Sequence, residues 1–184
     1  MDNSAGGQQR LVASALKRLE TIRKQEDFDP TRPSSRPTPA QQAIITDFGK
    51  VPIQWVVASN RSGKSQLASR LVTWMAESTH PSWVRPKEWG EGPLLILIAS
   101  RTGKQIEDSI LPKITGYLRP GTYKEVRIGN MIQRLELTNG NKIIFQSLEN
   151  PSMARERLQS YTAHMVWIDE QPPTLDIVTE LLLR

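Results

Sequence analysis

The chain has no cysteine and only two histidines, His80 and His164, far apart in sequence. Disulfides and thiolate metal sites are therefore excluded, a reducing compartment is permitted, and a zinc centre is not expected. Long apolar runs are also missing. The longest, Pro93-Leu94-Leu95-Ile96-Leu97-Ile98-Ala99, is strand-sized, well short of the ~20 residues that span a membrane. Met1–Arg10 is polar and no apolar core follows it, so nothing resembles a signal peptide. No internal repeat is visible. What remains is a chain of 184 residues, 38% hydrophobic, with room for one domain or one domain plus an arm. Its formal charge of +5 is compatible with a polyanionic partner such as DNA. The charges form no dense run, so this is weak evidence by itself.

Residues 10–26 carry Leu11, Ala15, Leu19 and Ile22 at helical spacing with basic residues opposite, which predicts an amphipathic helix. Four prolines within 29–39 predict an extended linker. The boundary is set at 1–36 for this arm and 37–184 for the main domain. Within the domain, Ala40–Phe48 predicts a short helix, capped by Thr38 or opened by Pro39. Ile53–Ala58 predicts the first core strand, followed by a helix to about Ser78. Residues 80–92, with two prolines and two tryptophans, predict a surface loop. Leu94–Ala99 predicts a strand buried on both faces, and Gln105–Leu118 a helix broken or kinked near Pro112. Residues 125–129, 131–137 and 142–147 alternate, with Asn139-Gly140-Asn141 as a hairpin turn. His164–Ile168 predicts a last strand, ended by Pro172-Pro173, and a helix starts near Leu175. The order is an α/β alternation with an inserted β-hairpin.

Between Ile53-Gln54-Trp55-Val56-Val57 and the helical Gln66–Val72 lies Ala58-Ser59-Asn60-Arg61-Ser62-Gly63-Lys64-Ser65. Strand, small-residue loop ending Gly-Lys-Ser, then helix is the context of a phosphate-binding P-loop. Backbone N–H groups of such a loop curl around a polyphosphate, and the helix N-terminus points positive partial charge at it. Gly63 allows close backbone approach, Lys64 can reach the β- and γ-phosphates, and Ser65 can hold Mg²⁺. Ala58 stands where the usual motif has its first glycine. The loop makes Ser59, Asn60, Arg61, Ser62, Gly63, Lys64 and Ser65 candidates for binding ATP.

A second motif, Met165-Val166-Trp167-Ile168-Asp169-Glu170, is an apolar strand leading into two adjacent carboxylates. In a P-loop ATPase this is the Walker B element, which presents its acids at the C-terminal edge of the sheet beside the phosphates. Asp169 would serve Mg²⁺ with Ser65, and Glu170 would orient and polarise the attacking water. Either motif alone has a bland explanation, in a solvated turn or a strand end. Together they point to nucleotide hydrolysis.

The two motifs resemble those of the large terminase subunit of tailed phages. Asn60-Arg61-Ser62-Gly63-Lys64-Ser65 is similar to that family's P-loop, and Leu158–Pro173 to its Walker B segment and the turn before it. Pro39-Ala40-Gln41-Gln42 resembles its adenine-recognising glutamine motif, with Gln41 as the candidate and Gln42 the neighbouring alternative. The resemblance covers residues 37–184. It implies an ASCE-type, RecA- or helicase-like P-loop NTPase fold with a mostly parallel central sheet, the inserted hairpin, and C-terminal strands missing. It further implies an ATPase motor that drives double-stranded DNA into a procapsid in the cytoplasm of an infected bacterium. The implied partners are the procapsid portal, the small terminase subunit and further copies in a ring, with no membrane. Arg61 would be a candidate for stabilising charge on the γ-phosphoryl group. Arg101, Lys104, Arg155 and Arg157 could face a neighbouring subunit's phosphate or lie on solvated loops. Ser160 departs from a position where the family often has glycine. The family's coupling motif and nuclease domain have no counterpart before Arg184, so the chain reads as an N-terminal portion without nuclease activity. Other readings are a helicase-like translocase and an assembly module that holds nucleotide and DNA without turnover.

Overall fold

The computed structural model describes residues 13–16, 19, 37–51, 53–59, 62–80 and 85–182. Residues 13–16 are helical, while most of the expected 10–26 helix and the proline-rich linker lie outside the described residues. Helix α1, Pro39–Asp47, starts as its sequence predicts. Thr38 Oγ1 accepts from Gln41 N at 3.3 Å and Gln41 Oε1 accepts from Thr38 N at 2.9 Å. This reciprocal capping box satisfies two end donors, and Pro39 opens the first turn. Helix α2 spans Lys64–Glu77. A 3₁₀ turn, Lys87–Trp89, leads to β1, Leu95–Ser100.

The next helix, α3, has three parts: Gly103–Gln105, a π-helical Ile106–Ile110, and Leu111–Tyr117. The expected irregularity near Pro112 is this π turn, in which Leu111 N donates to Ile106 O. Pro112 has no N–H to give Asp108, so a wider turn before it accommodates the ring. Strands β2 (Tyr123–Ile128), β3 (Met131–Leu137) and β4 (Lys142–Ser147) follow. Helix α4 (Pro151–Gln159), β5 (Met165–Asp169) and α5 (Leu175–Leu182) complete the order.

The five strands form one sheet in the order β2-β3-β4-β1-β5. β1 pairs in parallel with β4 and β5, whereas β2–β3 and β3–β4 are antiparallel. The sheet is therefore mixed, and the expected mostly parallel sheet is corrected. The turn at Asn139-Gly140-Asn141 forms as expected. However, the β3–β4 hairpin is no insertion, because β4 is the inner parallel neighbour of β1. Continuous apolar sequence in β1 suits its place: Ile96, Leu97, Ile98 and Ala99 are all fully buried. Ile96 and Ile98 pack under α2 and α3, with Val72, Met75, Ile110 and Ile114. Leu97 and Ala99 pack on the other face against Ala154 and Leu158 of α4 and Ile177 of α5.

The larger correction concerns Ile53–Ala58. Residues 53–59 have no regular structure, and Trp55 and Val57 are 69% and 93% exposed. An apolar run becomes a strand only where a neighbour completes its ladder of N–H and C=O pairs. β5 is an edge strand of the sheet, and 53–59 does not pair with it. The run is tied instead to α1, through Gln54 Nε2 donating to the Ile44 carbonyl at 3.1 Å.

Asn141 ties the layers together. It is 4% exposed, accepts from Leu94 N at 2.7 Å, and donates through Nδ2 to the Ala76 carbonyl at 2.8 Å. The end of α2 and the start of β1 are thus held by one amide. Replacing it by alanine leaves two buried main-chain groups without that partner. We expect Asn141→Ala to lower unfolding stability by roughly 2–3 kcal/mol, measured by urea denaturation.

Candidate nucleotide site

Strands β1, β4 and β5 run in parallel and end together: Ser100 is level with Ser147 on one side and Asp169 on the other. The N-terminus of α2 opens over this edge. Gly63, in the left-handed region at φ 83°, turns the chain into the helix, a conformation that glycine adopts without a Cβ penalty. A Cβ at Gly63 would also come within 3.0 Å of Gln41 Nε2. Gln41 is therefore both the capping residue of α1 and the amide beside the loop. Gln42 is exposed and donates along its own helix to Thr46 Oγ1.

Ser65 Oγ, in the first turn of α2, donates to Asp169 Oδ1 at 3.1 Å across 104 residues of sequence. Lys64 Nζ folds back and donates to the Ala58 and Ser59 carbonyls at 2.5 and 2.8 Å. Ser62 N donates to the Ser59 carbonyl. Asn60 and Arg61 lie outside the described residues. Glu170 is exposed and has φ 68°, in the left-handed region, which costs a non-glycine residue roughly 1–2 kcal/mol. Backbone strain of this kind is retained where it aims a functional side chain.

Burial pushes the Asp169 carboxyl above the usual range. The Ser65 hydrogen bond opposes that shift, Glu170 adds to it, and the ammonium groups of Lys113 and Lys64 act against it. The position needs a positive charge to become comfortable as an anion.

The amide of Gln105, which the sequence did not single out, also reaches this edge: its Nε2 is 3.5 Å from Asp169 Oδ2. Thr102 Oγ1 caps Gln105 N at 3.0 Å. The signal for this short turn was present in Thr102-Gly103-Lys104-Gln105, a hydroxyl followed three residues later by glutamine. Arg101 and Lys104 are exposed after β1. Arg155 and Arg157 lie on α4 and not on a loop. That helix was legible too: Asn150 caps it by accepting from Met153 N at 3.2 Å, and Pro151 starts it.

The donor set fits a magnesium nucleotide. A hydroxyl and a carboxylate already touch, a lysine stands beside them, and a glycine turn starts the helix. Mg²⁺ takes few protein ligands and fills its shell with water and phosphate. No group of three or more His, Cys, Asp or Glu gathers among the described residues.

Residues 56–178, from the end of the exposed run through Gly63-Lys64-Ser65 and Asp169-Glu170 into α5, match the family of terminase large subunit, T4likevirus-type, N-terminal. The chain belongs to this family. The large terminase from a thermophilic bacteriophage has a similar fold, with a TM-score of 0.53 and 15% identity. The likeness covers 80% of this chain and 36% of that one, so the chain spans about a third of that terminase. No curated protein matches. No helix among the described residues is long and apolar enough to cross a membrane.

The raised Asp169 carboxyl carries a testable sign. Its folded form holds a proton more tightly than its unfolded form, so the native state binds more protons as pH rises past the unfolded value. Stability contributed by the neutral carboxyl is full at low pH and lost as pH climbs through the folded pKa. Asp169→Asn should therefore raise the melting temperature, by more at pH 7 than at pH 4, in calorimetric scans without divalent cation.

Proposed function

We propose that this chain is the ATP-binding part of a viral DNA-packaging motor, with the P-loop ATPase architecture of its class. One observation carries the reading: the Ser65 hydroxyl and the Asp169 carboxylate, from motifs over a hundred residues apart, meet at 3.1 Å. Membership of the large terminase family supports a packaging motor as the machine that such a pair would serve.

In this reading Gly63 and the neighbouring backbone N–H groups cradle the phosphates at the positive end of α2. Lys64 leaves the Ala58 and Ser59 carbonyls for the β- and γ-phosphate oxygens. That exchange replaces two bonds from the ammonium to neutral carbonyls by bonds from the ammonium to anionic oxygens, where both partners are charged. Gln41 lies beside the loop, where its amide can meet the nucleotide. Ser65 and Asp169 hold Mg²⁺, which when bound offsets phosphate charge. Burial raises the Asp169 carboxyl, and a cation beside it would favour its anionic form. Glu170, exposed and aimed by its left-handed backbone, accepts a hydrogen bond from water and takes its proton. Arg61 is the candidate to meet charge on the transferred phosphoryl group. Double-stranded DNA, the portal, the small subunit and a ring of copies belong to the whole machine as its expected partners.

Two variants test this. Lys64→Ala should weaken binding of a fluorescent ATP analogue at least tenfold, in line with loss of a charged hydrogen bond worth ~1.5–3 kcal/mol. Glu170→Gln should keep nucleotide affinity while lowering phosphate release about 10²–10⁴-fold. If both variants bind and turn over ATP as the parent does, the reading fails.

A further inference from the structure

We propose that Ser100 and Gln105 are positioning residues for Asp169, supplying donors to its second oxygen and so holding the carboxylate in place for a cation. This rests on the nucleotide-site reading above. Two independent observations carry it.

The first is an orphan. Ser100 is fully buried, and its Oγ has no hydrogen-bond partner among the described residues. A buried hydroxyl without a partner is costly, and such groups are few in folded proteins. Its place explains why it is kept. Ser100 and Asp169 are register partners on adjacent strands. Alternation puts Ser100 on the face of Ile96 and Ile98, and Asp169 on the face of Trp167, all toward the same core cluster under α2. The two side chains are thus same-face neighbours. An alanine in that position would pack without the orphan hydroxyl.

The second is Gln105. Its Nε2 approaches Oδ2, the carboxylate oxygen that Ser65 does not use, at 3.5 Å. That is the outer limit of a hydrogen bond, so this contact is only part-formed. Asp169 Oδ1 has one good donor and Oδ2 has a long one. A carboxylate accepts at up to about four positions, so this half-buried one has acceptor sites left to fill. Closing by Gln105 and a side-chain rotamer change that brings the Ser100 hydroxyl to Oδ2 would complete the set. Carboxylates that bind metals are themselves held by such outer donors, whose loss typically costs 10–100-fold in metal affinity.

The signature differs from that of a packing residue. Ser100→Ala should leave the cation-free chain as stable as the parent or more stable in thermal unfolding. The same change should weaken Mn²⁺ binding, read by electron paramagnetic resonance with ADP present, about tenfold. ADP affinity measured in EDTA should not move. Gln105→Ala should act likewise and Gln105→Glu more strongly, because a second carboxylate repels Asp169. Ser100→Thr, which keeps the hydroxyl, should recover most of the Mn²⁺ affinity. Loss of stability in Ser100→Ala, or unchanged Mn²⁺ affinity in both alanine variants, overturns the proposal while leaving the functional reading intact. If the parent chain binds neither ADP nor Mn²⁺, the functional reading itself falls and this proposal falls with it.

Discussion

The contact between Ser65 and Asp169 joins two parts of the molecule that have little else in common at that edge. One end belongs to a helix whose first residues follow a glycine in a left-handed turn. The other belongs to a strand held in the sheet by β1. Because β1 is buried on both faces and paired on both edges, it fixes the level at which β5 ends. α2 is fixed independently, through Val72 and Met75 in the core above β1 and through the Asn141 amide at its far end. Two rigid supports therefore bring a hydroxyl and a carboxylate together before any ligand arrives. That is the preorganisation a phosphate and cation site requires.

The electrostatics are arranged in a complementary way. Asp169 is uncomfortable as an anion, Glu170 sits beside it with a strained backbone, and Lys64 is folded onto the carbonyls of its own loop. Of the three, Asp169 is the group that a cation would relieve. Stability is given up at the site and supplied by the core beneath it.

The sequence made the motif positions legible because their spacing is imposed by chemistry. Gly63-Lys64-Ser65 at a helix start and Asp169-Glu170 at a strand end are short-range signals that backbone geometry follows directly. Helix α1 and the β3–β4 turn were legible for the same reason, through Thr38-Pro39 and Asn139-Gly140. Ile53–Ala58 was misread because its apolar pattern says what the segment would do beside a partner, and strand formation is decided by that partner. The mixed sheet escaped for a related reason: alternation in 131–147 predicts a hairpin but not that β4 also serves β1. Ser100 and Gln105 were invisible as site residues, since nothing local in an apolar strand end or a polar turn announces a neighbour 64 or more positions away.

The π-helical turn at Ile106–Ile110 fixes which residue of α3 meets the carboxylate. A wide turn accommodates one residue more than a regular one, and each residue of an α-helix turns the chain by about 100°. Gly103–Gln105 is therefore rotated by roughly that angle relative to Leu111–Tyr117, compared with an unbroken helix. With Ile110, Leu111 and Ile114 anchored in the core, an uninterrupted α3 would carry the Gln105 amide around the barrel of the helix, off the Asp169 side. Single-residue length changes in this stretch thus act as a rotary selector, choosing which side chain the helix offers to the sheet edge while its buried half stays unchanged.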